Sequence, residues 1–254
     1  MKTPRTFVPA EFDPSQFEQI EPLFQQLIDR PLDSPDALEQ WLADFSETLA
    51  AISEYRSRLN IDYSCHTDDE AAEKAFMHFV ENIAPKLQPM HFKLQSRYIE
   101  CEHRPAIETT VRMKQLGKGW QADVDLYRDE NVPIFTEITK LNTEYDKLCA
   151  AMMVEFDGKT MTLQQLGRYL EEPDREVREQ AWRLTADTRL AHRERFDSIY
   201  DKQIERRQTV AANADCQTFI DYAWRSKHRF DYTPDDCRLY ADSVEQLVMP
   251  LIEK

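Results

Sequence analysis

Hydrophobic side chains recur every three or four residues through most of the chain, the spacing that places them on one face of an α-helix. The clearest case follows Ser34, a good N-cap residue, and Pro35, whose missing N–H costs nothing at a first helical position. The pattern predicts one long amphipathic helix over about residues 35–59. Its apolar positions are Leu38, Trp41, Leu42, Phe45, Leu49 and Ile52.

Prolines divide the neighbouring helical patterns. Apolar residues between 17 and 28 predict a shorter helix that is either kinked at Pro22 or starts there. Thr67 and Glu70 have the spacing of a capping box and predict the start of a third helix. This third pattern runs to Met90, and two prolines within it, Pro85 and Pro89, should kink it or divide it in two. Between Arg104 and Gly119 the pattern weakens, which predicts a loop or an irregular helix.

The C-terminal half carries one hairpin signal among further helical patterns. Asp157-Gly158 lies between the β-prone runs 152–156 and 159–162, and this dipeptide favours a two-residue hairpin turn because both turn positions need positive φ. Thr162 with Gln165 should cap the helix that follows. The other helices are expected at about 133–149, at 174–212 as one very long charged helix ending at Asn213, at 217–226, and from Thr233-Pro234 onwards, with Ala241, Val244, Leu247, Val248 and Leu251 as its stripe.

These patterns predict an all-α fold with one small β-hairpin. We expect an N-terminal helical subdomain at 1–150 and a hairpin plus long-helix segment at 151–254. The presence of only 4 glycines in 254 residues supports this, because phosphate loops and frequent tight turns need glycine. No repeat of fixed period is visible.

Charge and cysteine content exclude several function classes. The net charge is 32 − 47 = −15, and such an acidic excess repels phosphate backbones, so we expect no nucleic-acid partner. The longest apolar run, residues 149–154, is far shorter than the roughly 20 residues of a membrane helix, so no membrane association is expected. The five cysteines form no CxxC pair, and the N-terminus has no apolar signal region, which predicts a cytoplasmic protein.

No catalytic, cofactor-binding or metal-ligating set emerges from the residues. None of the six histidines is followed by glutamate, so HExxH is absent, and HxxEH is absent as well. Glu100 with His103 is the one Glu-x-x-His pair, whereas a di-iron bundle needs two. His78 and Glu81 lie one helical turn apart, but two ligands do not make a site.

Other motifs have ordinary structural explanations. Gly158-Lys159-Thr160 resembles the end of a phosphate loop, but the required earlier glycine is Met153. Cys65 and His66 are neighbours in sequence, which does not establish a nucleophile and its base. The basic cluster at 225–229, flanked by Trp224 and Phe230, is interpreted as ordinary surface rather than a ligand clamp. The residues alone therefore assign no reaction.

Several segments, taken together and in order, resemble the N-terminal part of oligoendopeptidase F-like zinc metallopeptidases, relatives of thimet oligopeptidase. The resemblance extends from about residue 10 to the C-terminus. It is carried by residues 67–70, 75–83 (Ala-Phe-Met-His-Phe-Val-Glu-Asn-Ile), 130–133 (Glu-Asn-Val-Pro), 153–158 (Met-Val-Glu-Phe-Asp-Gly), 163–166 (Leu-Gln-Gln-Leu), 174–182 (Asp-Arg-Glu-Val-Arg-Glu-Gln-Ala-Trp) and 229–234 (Arg-Phe-Asp-Tyr-Thr-Pro).

The resemblance implies a helical lobe of a two-lobed hydrolase that cleaves short peptides in a deep channel with one zinc ion. In that family the HExxH helix and the third ligand lie in the C-terminal half, so no catalytic or metal residue transfers to this chain. Since the last helical pattern has no stop signal before Lys254, we expect a fragment: part of a gene, half of a split enzyme or a truncated chain, inactive without its catalytic half. The alternative is a stand-alone helical module that binds proteins or peptides without catalysis.

Overall fold

The computed structural model describes residues 6–252, and helices account for 76% of them. The only sheet within this range is a two-stranded antiparallel hairpin, β1 (Met153–Phe156) and β2 (Lys159–Thr162), so the predicted all-α fold class is confirmed. The α-helices are α1 (Phe17–Asp29), α2 (Pro35–Cys65), α3 (Glu70–His78), α4 (Ala84–Glu100), α5 (Arg104–Ile107), α6 (Val111–Leu126), α7 (Asn131–Ala150), α8 (Leu163–Leu166), α9 (Arg175–Leu190), α10 (Arg193–Asn213), α11 (Phe219–Ser226), α12 (Pro234–Leu247) and α13 (Met249–Ile252).

The largest hydrophobic core lies between α1, α2 and α4. Phe24, Trp41 and Leu94 are fully buried there, one from each helix. The Trp41 indole N–H donates to the carbonyl of Leu27 at 2.8 Å, which satisfies its polar atom inside the core. The Arg97 guanidinium donates to the same carbonyl at 3.0 Å and thereby ties α4 to the end of α1.

The two N-terminal helices begin and end close to where the sequence predicts. The Ser34 hydroxyl accepts the amide N–H of Ala37 at 3.2 Å, so the predicted cap of α2 is confirmed, although α2 continues to Cys65 rather than 59. Pro22 lies inside α1, which starts at Phe17 and not at the proline.

The start of α3 differs from the predicted capping box. Asp69 is the N-cap, and its carboxylate accepts the amides of Ala71 and Ala72 at 2.8 and 3.3 Å, so the box between Thr67 and Glu70 is wrong by two residues. The segment is divided at a π-helical turn, Phe79–Ile83, which separates α3 from α4 just before Pro85, whereas Pro89 lies inside α4 and does not divide it.

The segment with the weak pattern contains a regular helix, α6, and neighbouring side chains occupy the space beside its two glycines. Both Gly117 and Gly119 lie inside α6. A Cβ at Gly117 would overlap the Glu108 carboxylate, and one at Gly119 would lie 3.0 Å from the His228 ring. The two glycines allow these side chains to pack closely against α6 and do not mark a loop.

The hairpin turn is as predicted. Phe156 pairs with Lys159, and the two turn residues Asp157 and Gly158 have φ of 52° and 69°, the positive values of a type I′ turn. The capping box between Thr162 and Gln165 then starts α8. A 3-10 turn, Gly167–Glu171, follows α8.

The single long helix predicted at 174–212 is wrong, because the chain turns at Ala191-His192 and forms α9 and α10 instead. Ala181 of α9 is buried in the hairpin cluster, against which Phe196 at the start of α10 also packs, whereas Val210 near the end of α10 is buried beside α11. Local periodicity carries no signal for the turn.

Candidate functional site

The metal-ligand pairs considered from the sequence do not form metal sites in the described residues. His78 Nδ1 faces the Asn82 amide at 3.3 Å, while Glu81 pairs with Lys140 on α7 at 2.6 Å. His103 Nε2 lies 3.8 Å from Glu102. No group of three or more His, Cys, Asp or Glu side chains within residues 6–252 could hold a metal ion. The five cysteines are free thiols: Cys65, Cys101, Cys149, Cys216 and Cys237.

The basic cluster at 225–229 fastens the segment between α11 and α12 to helix α6. Arg225 pairs with Asp125 at 3.2 Å, and His228 Nε2 lies 2.8 Å from Asp123 Oδ1. The Arg229 guanidinium lies over the Trp224 ring, 4.9 Å from its centroid. These contacts give the cluster a structural role in holding this segment against α6.

An open cleft of about 910 Å³ lies between α7, α8 and α10, and we call it the α7–α10 cleft. Its floor is apolar and buried, formed by Met152, Leu163 and Ile199. A hydrogen bond from the Gln203 amide to Asn142 Oδ1, at 2.8 Å, joins α10 to α7 inside it. Such a cavity, apolar with a few polar groups, is the usual form of a ligand site.

Aromatic and charged side chains line the rim of the α7–α10 cleft. The rings of Tyr145 and Phe196 lie 5.5 Å apart, and Tyr200 and Arg189 are exposed beside them. A hydrogen bond with Cys149 raises the pKa of Tyr145, whereas the charge of Arg189 acts in the opposite direction. The tyrosine therefore remains a neutral phenol at physiological pH. Sequence reasoning missed this site because its residues come from four helices spaced along 60 positions.

A second candidate is the apolar surface of the last two helices, which we call the α12–α13 surface. Helix α12 has no buried residue, and Leu247 and Leu251 are 71% and 66% exposed. The stripe expected from sequence is thus largely uncovered, with Val244 half-buried. The large exposed side chains are Leu239, Tyr240, Leu247, Val248, Met249, Leu251 and Ile252. Exposed apolar side chains in this number along one short segment make it a candidate interaction surface.

Within residues 6–252, every helix is too short or too polar to cross a bilayer.

A helical domain with these features has counterparts among peptidases. Residues 7–127 match the sequence model of the Peptidase M3 N-terminal domain. No protein in a search of curated sequences matches the chain.

Solved structures extend the similarity over nearly the whole chain. An oligoendopeptidase F, solved at 3.1 Å from crystals grown by microfluidic seeding, matches with a TM-score of 0.88 and 24% identity over 96% of this chain. PZ peptidase A with an inhibitor matches at 0.89 and 23% over 96%. An oligoendopeptidase F from Bacillus anthracis str. Ames matches at 0.89 and 21% over 98%. The resemblance noted from the sequence is confirmed: the chain matches the N-terminal part of an M3-type peptidase.

The chain spans less than half the length of those structures. The matched regions cover 43%, 44% and 46% of the three solved chains. More than half of each of those proteins therefore has no counterpart here.

Proposed function

We propose that this chain is the non-catalytic N-terminal portion of a zinc-dependent metallo-oligopeptidase that hydrolyses short peptides. The observation that carries the proposal is the match of residues 7–127 to the Peptidase M3 N-terminal domain. The fold match to under half of three peptidase chains supports it. In this proposal the lobe forms one wall of the substrate channel, and the reaction belongs to a catalytic half supplied by other residues.

The described residues do not provide the ligand set of a zinc site. A catalytic zinc needs three protein ligands. Within residues 6–252 no group of three potential ligands comes together. The chain also contains no HExxH anywhere in its 254 residues. We therefore assign zinc to the catalytic half alone and derive no catalytic step from this chain.

The α12–α13 surface is the proposed contact with the catalytic half. Six large apolar side chains are exposed on the 14 plus 4 residues of α12 and α13, Val248 is exposed between them, and α12 buries none of its own residues. Covering such a surface by another lobe is favourable by about 25 cal/mol per Å² of apolar area. We further propose a cytoplasmic location, which agrees with five unpaired cysteines.

A direct test measures zinc and peptide cleavage with the purified chain. We expect no stoichiometric zinc after dialysis and no chelator-sensitive cleavage of a fluorogenic oligopeptide, with an intact oligoendopeptidase F as positive control. A zinc-to-protein ratio near one together with cleavage would refute the non-catalytic assignment.

The peptidase assignment needs a second test in the source cells. Antibodies against this chain should precipitate a zinc-dependent peptidase activity under native conditions. Mass spectrometry of the precipitate should find HExxH-containing peptides, either in one longer polypeptide or in a second chain. If the antibodies precipitate this chain without peptidase activity and without HExxH-containing peptides, the result favours the stand-alone binding module over the peptidase assignment. The α7–α10 cleft is the observation that supports this second candidate.

A further inference from the structure

The α7–α10 cleft has the size and lining of a site for an organic ligand. Its volume of about 910 Å³ lies in the range of known ligand pockets, about 300–1,000 Å³. Met152, Leu163 and Ile199 give it a floor that is at most 8% exposed. An apolar side chain of a ligand would therefore be removed from water at the bottom of the cleft.

Three aromatic rings stand around this floor. Tyr145 and Tyr200 are 47% and 59% exposed, and Phe196 packs against Tyr145. Exposed tyrosines that converge on one cavity favour ligands with an apolar or aromatic body, because such rings offer large contact area with little conformational entropy to lose.

Arg189 gives the rim a positive charge that can pair with a negatively charged ligand. Arg189 forms no ion pair or side-chain hydrogen bond with any residue in 6–252. Asp197, the acidic residue of the lining, is paired with Arg193 at 3.5 Å. The guanidinium of Arg189 is thus the unneutralised charge of the cleft, and its planar donors match a carboxylate.

Side-chain amides on the same lining fit a peptide backbone. Gln164 has no side-chain hydrogen bond to another residue of the described chain, and Asn142 retains its own amide donors while it accepts from Gln203. We propose that the α7–α10 cleft binds the carboxyl end of a short peptide whose last side chain is apolar or aromatic, with Arg189 pairing with the terminal carboxylate. The choice of a peptide over other carboxylates rests on the proposed function.

Calorimetric titration of the full chain with matched peptides tests this. The probes are Ala-Ala-Phe with a free carboxylate, the same peptide as its carboxamide, and 3-phenylpropanoate. We expect saturable binding of the free acid, and binding of the carboxamide weaker by roughly three- to tenfold, because a charge-assisted pair is lost. The small acid should bind more weakly than the peptide, since it lacks the backbone groups.

Two substitutions locate the site. Arg189→Gln should remove the preference for the free acid over the carboxamide, while Arg183→Gln, the same change on the same helix where the arginine pairs with Glu179, should retain it. Tyr200→Ala should reduce the affinity for the free acid and for the carboxamide by the same factor. Circular dichroism checks that each variant is folded, and all three positions are exposed.

The outcomes separate this inference from the proposed function. Absence of saturable binding, or equal affinity for acid and carboxamide, overturns the carboxylate site. Equal affinity for 3-phenylpropanoate and the tripeptide overturns the choice of a peptide. These measurements need neither zinc nor cleavage. The titration can therefore refute the carboxylate site while the precipitation experiment supports the peptidase assignment, and the opposite combination is equally possible.

Discussion

Glu47 holds the N-terminal segment against helix α2. Its carboxylate accepts the backbone amides of Thr6, Phe7 and Val8 at 2.8–3.0 Å. Burial opposes the ionised form, but the bonds from Val8, Thr6 and Phe7 outweigh it and lower the pKa of Glu47. One side chain thus replaces the backbone partners that a segment without secondary structure lacks.

Glu47→Gln should destabilise the protein by about 1–2 kcal/mol at pH 7, since hydrogen bonds to a charged acceptor are stronger than those to an amide. Because the folded pKa is lowered, the contribution of Glu47 is complete above its unfolded pKa and is lost as the pH falls through the folded pKa. Urea unfolding at pH 7 and pH 3 measures this. A difference between wild type and variant that stays the same at both pH values would contradict it.

His91 gives a pH dependence of the same sign for a different reason, because burial alone lowers its pKa. Burial lowers its pKa to about 4, its Nε2 has no hydrogen-bond partner within residues 6–252, and its ring stacks on Phe24 with centroids 5.2 Å apart. In the unfolded chain the imidazole of His91 is protonated as the pH falls below about 6.5, whereas in the folded core it stays neutral until about pH 4. The free energy of unfolding therefore decreases as the pH drops from about 6.5 towards 4.

His91→Phe should remove this loss. Between pH 7 and pH 5 the histidine costs the wild type about 2 kcal/mol of unfolding free energy, and the phenylalanine variant should lack that part of the decline. Phenylalanine preserves the stack on Phe24 and removes the unpaired nitrogen. Parallel pH dependence of the two unfolding free energies would show that the nitrogen is protonated in the folded state.

At the scale of elements, helix α6 depends on its glycines for packing. The Glu108 carboxylate occupies the space beside Gly117, where it accepts from the Tyr98 hydroxyl at 3.0 Å and from Arg104 Nε at 2.7 Å. This arrangement joins α4 to α5 through one acceptor, which also lies against α6 at Gly117.

Gly117→Ala should therefore destabilise the protein, although alanine favours helix by about 1 kcal/mol. The Cβ would displace Glu108 and break both bonds, at a cost of about 1–3 kcal/mol for each group left unsatisfied. Gly167→Ala is the matched control, because Gly167 has φ −53° and no atom near its Cβ position, and it should be neutral or stabilising. Thermal unfolding of both variants gives the comparison; equal shifts would refute the role of Glu108.

The sequence predicted elements well where the determinants are local. Ser34, Asp157-Gly158 and Thr162 act through hydrogen bonds or φ values within three residues, and all three behave as expected. The turn at Ala191-His192 was not predictable, because it depends on which distant clusters the two flanking helices bury. The α7–α10 cleft was missed for the same reason: Asn142 and Gln203 meet only after folding.

For the whole molecule, the buried clusters leave the C-terminal end outside the core. The residues buried in the five clusters come from positions 8–222, and none comes from α12 or α13. A net charge of −15 opposes non-specific association. The α12–α13 surface is therefore an exposed apolar region on a protein whose net negative charge otherwise disfavours association between its copies.

The isolated chain should consequently self-associate through the α12–α13 surface at high concentration. Leu247→Gln with Leu251→Gln keeps the net charge unchanged and removes two side chains that are 71% and 66% exposed, so it should shift sedimentation towards monomer without lowering the unfolding free energy. Val111→Gln is the control, since Val111 is 78% exposed on α6, far along the chain from this surface, and should leave association unchanged.

Hydrogen exchange gives the matching local measurement. Amides at 238–252 should exchange much faster than those at 38–55, because α12 buries no side chain whereas α2 carries Trp41 and Phe45 in the main core. If the proposed catalytic half covers this surface, adding it should protect 238–252 and leave 38–55 unchanged. A monodisperse wild-type monomer with equal protection in both segments would mean that the surface needs no cover, and the chain would then act as a stand-alone binding module.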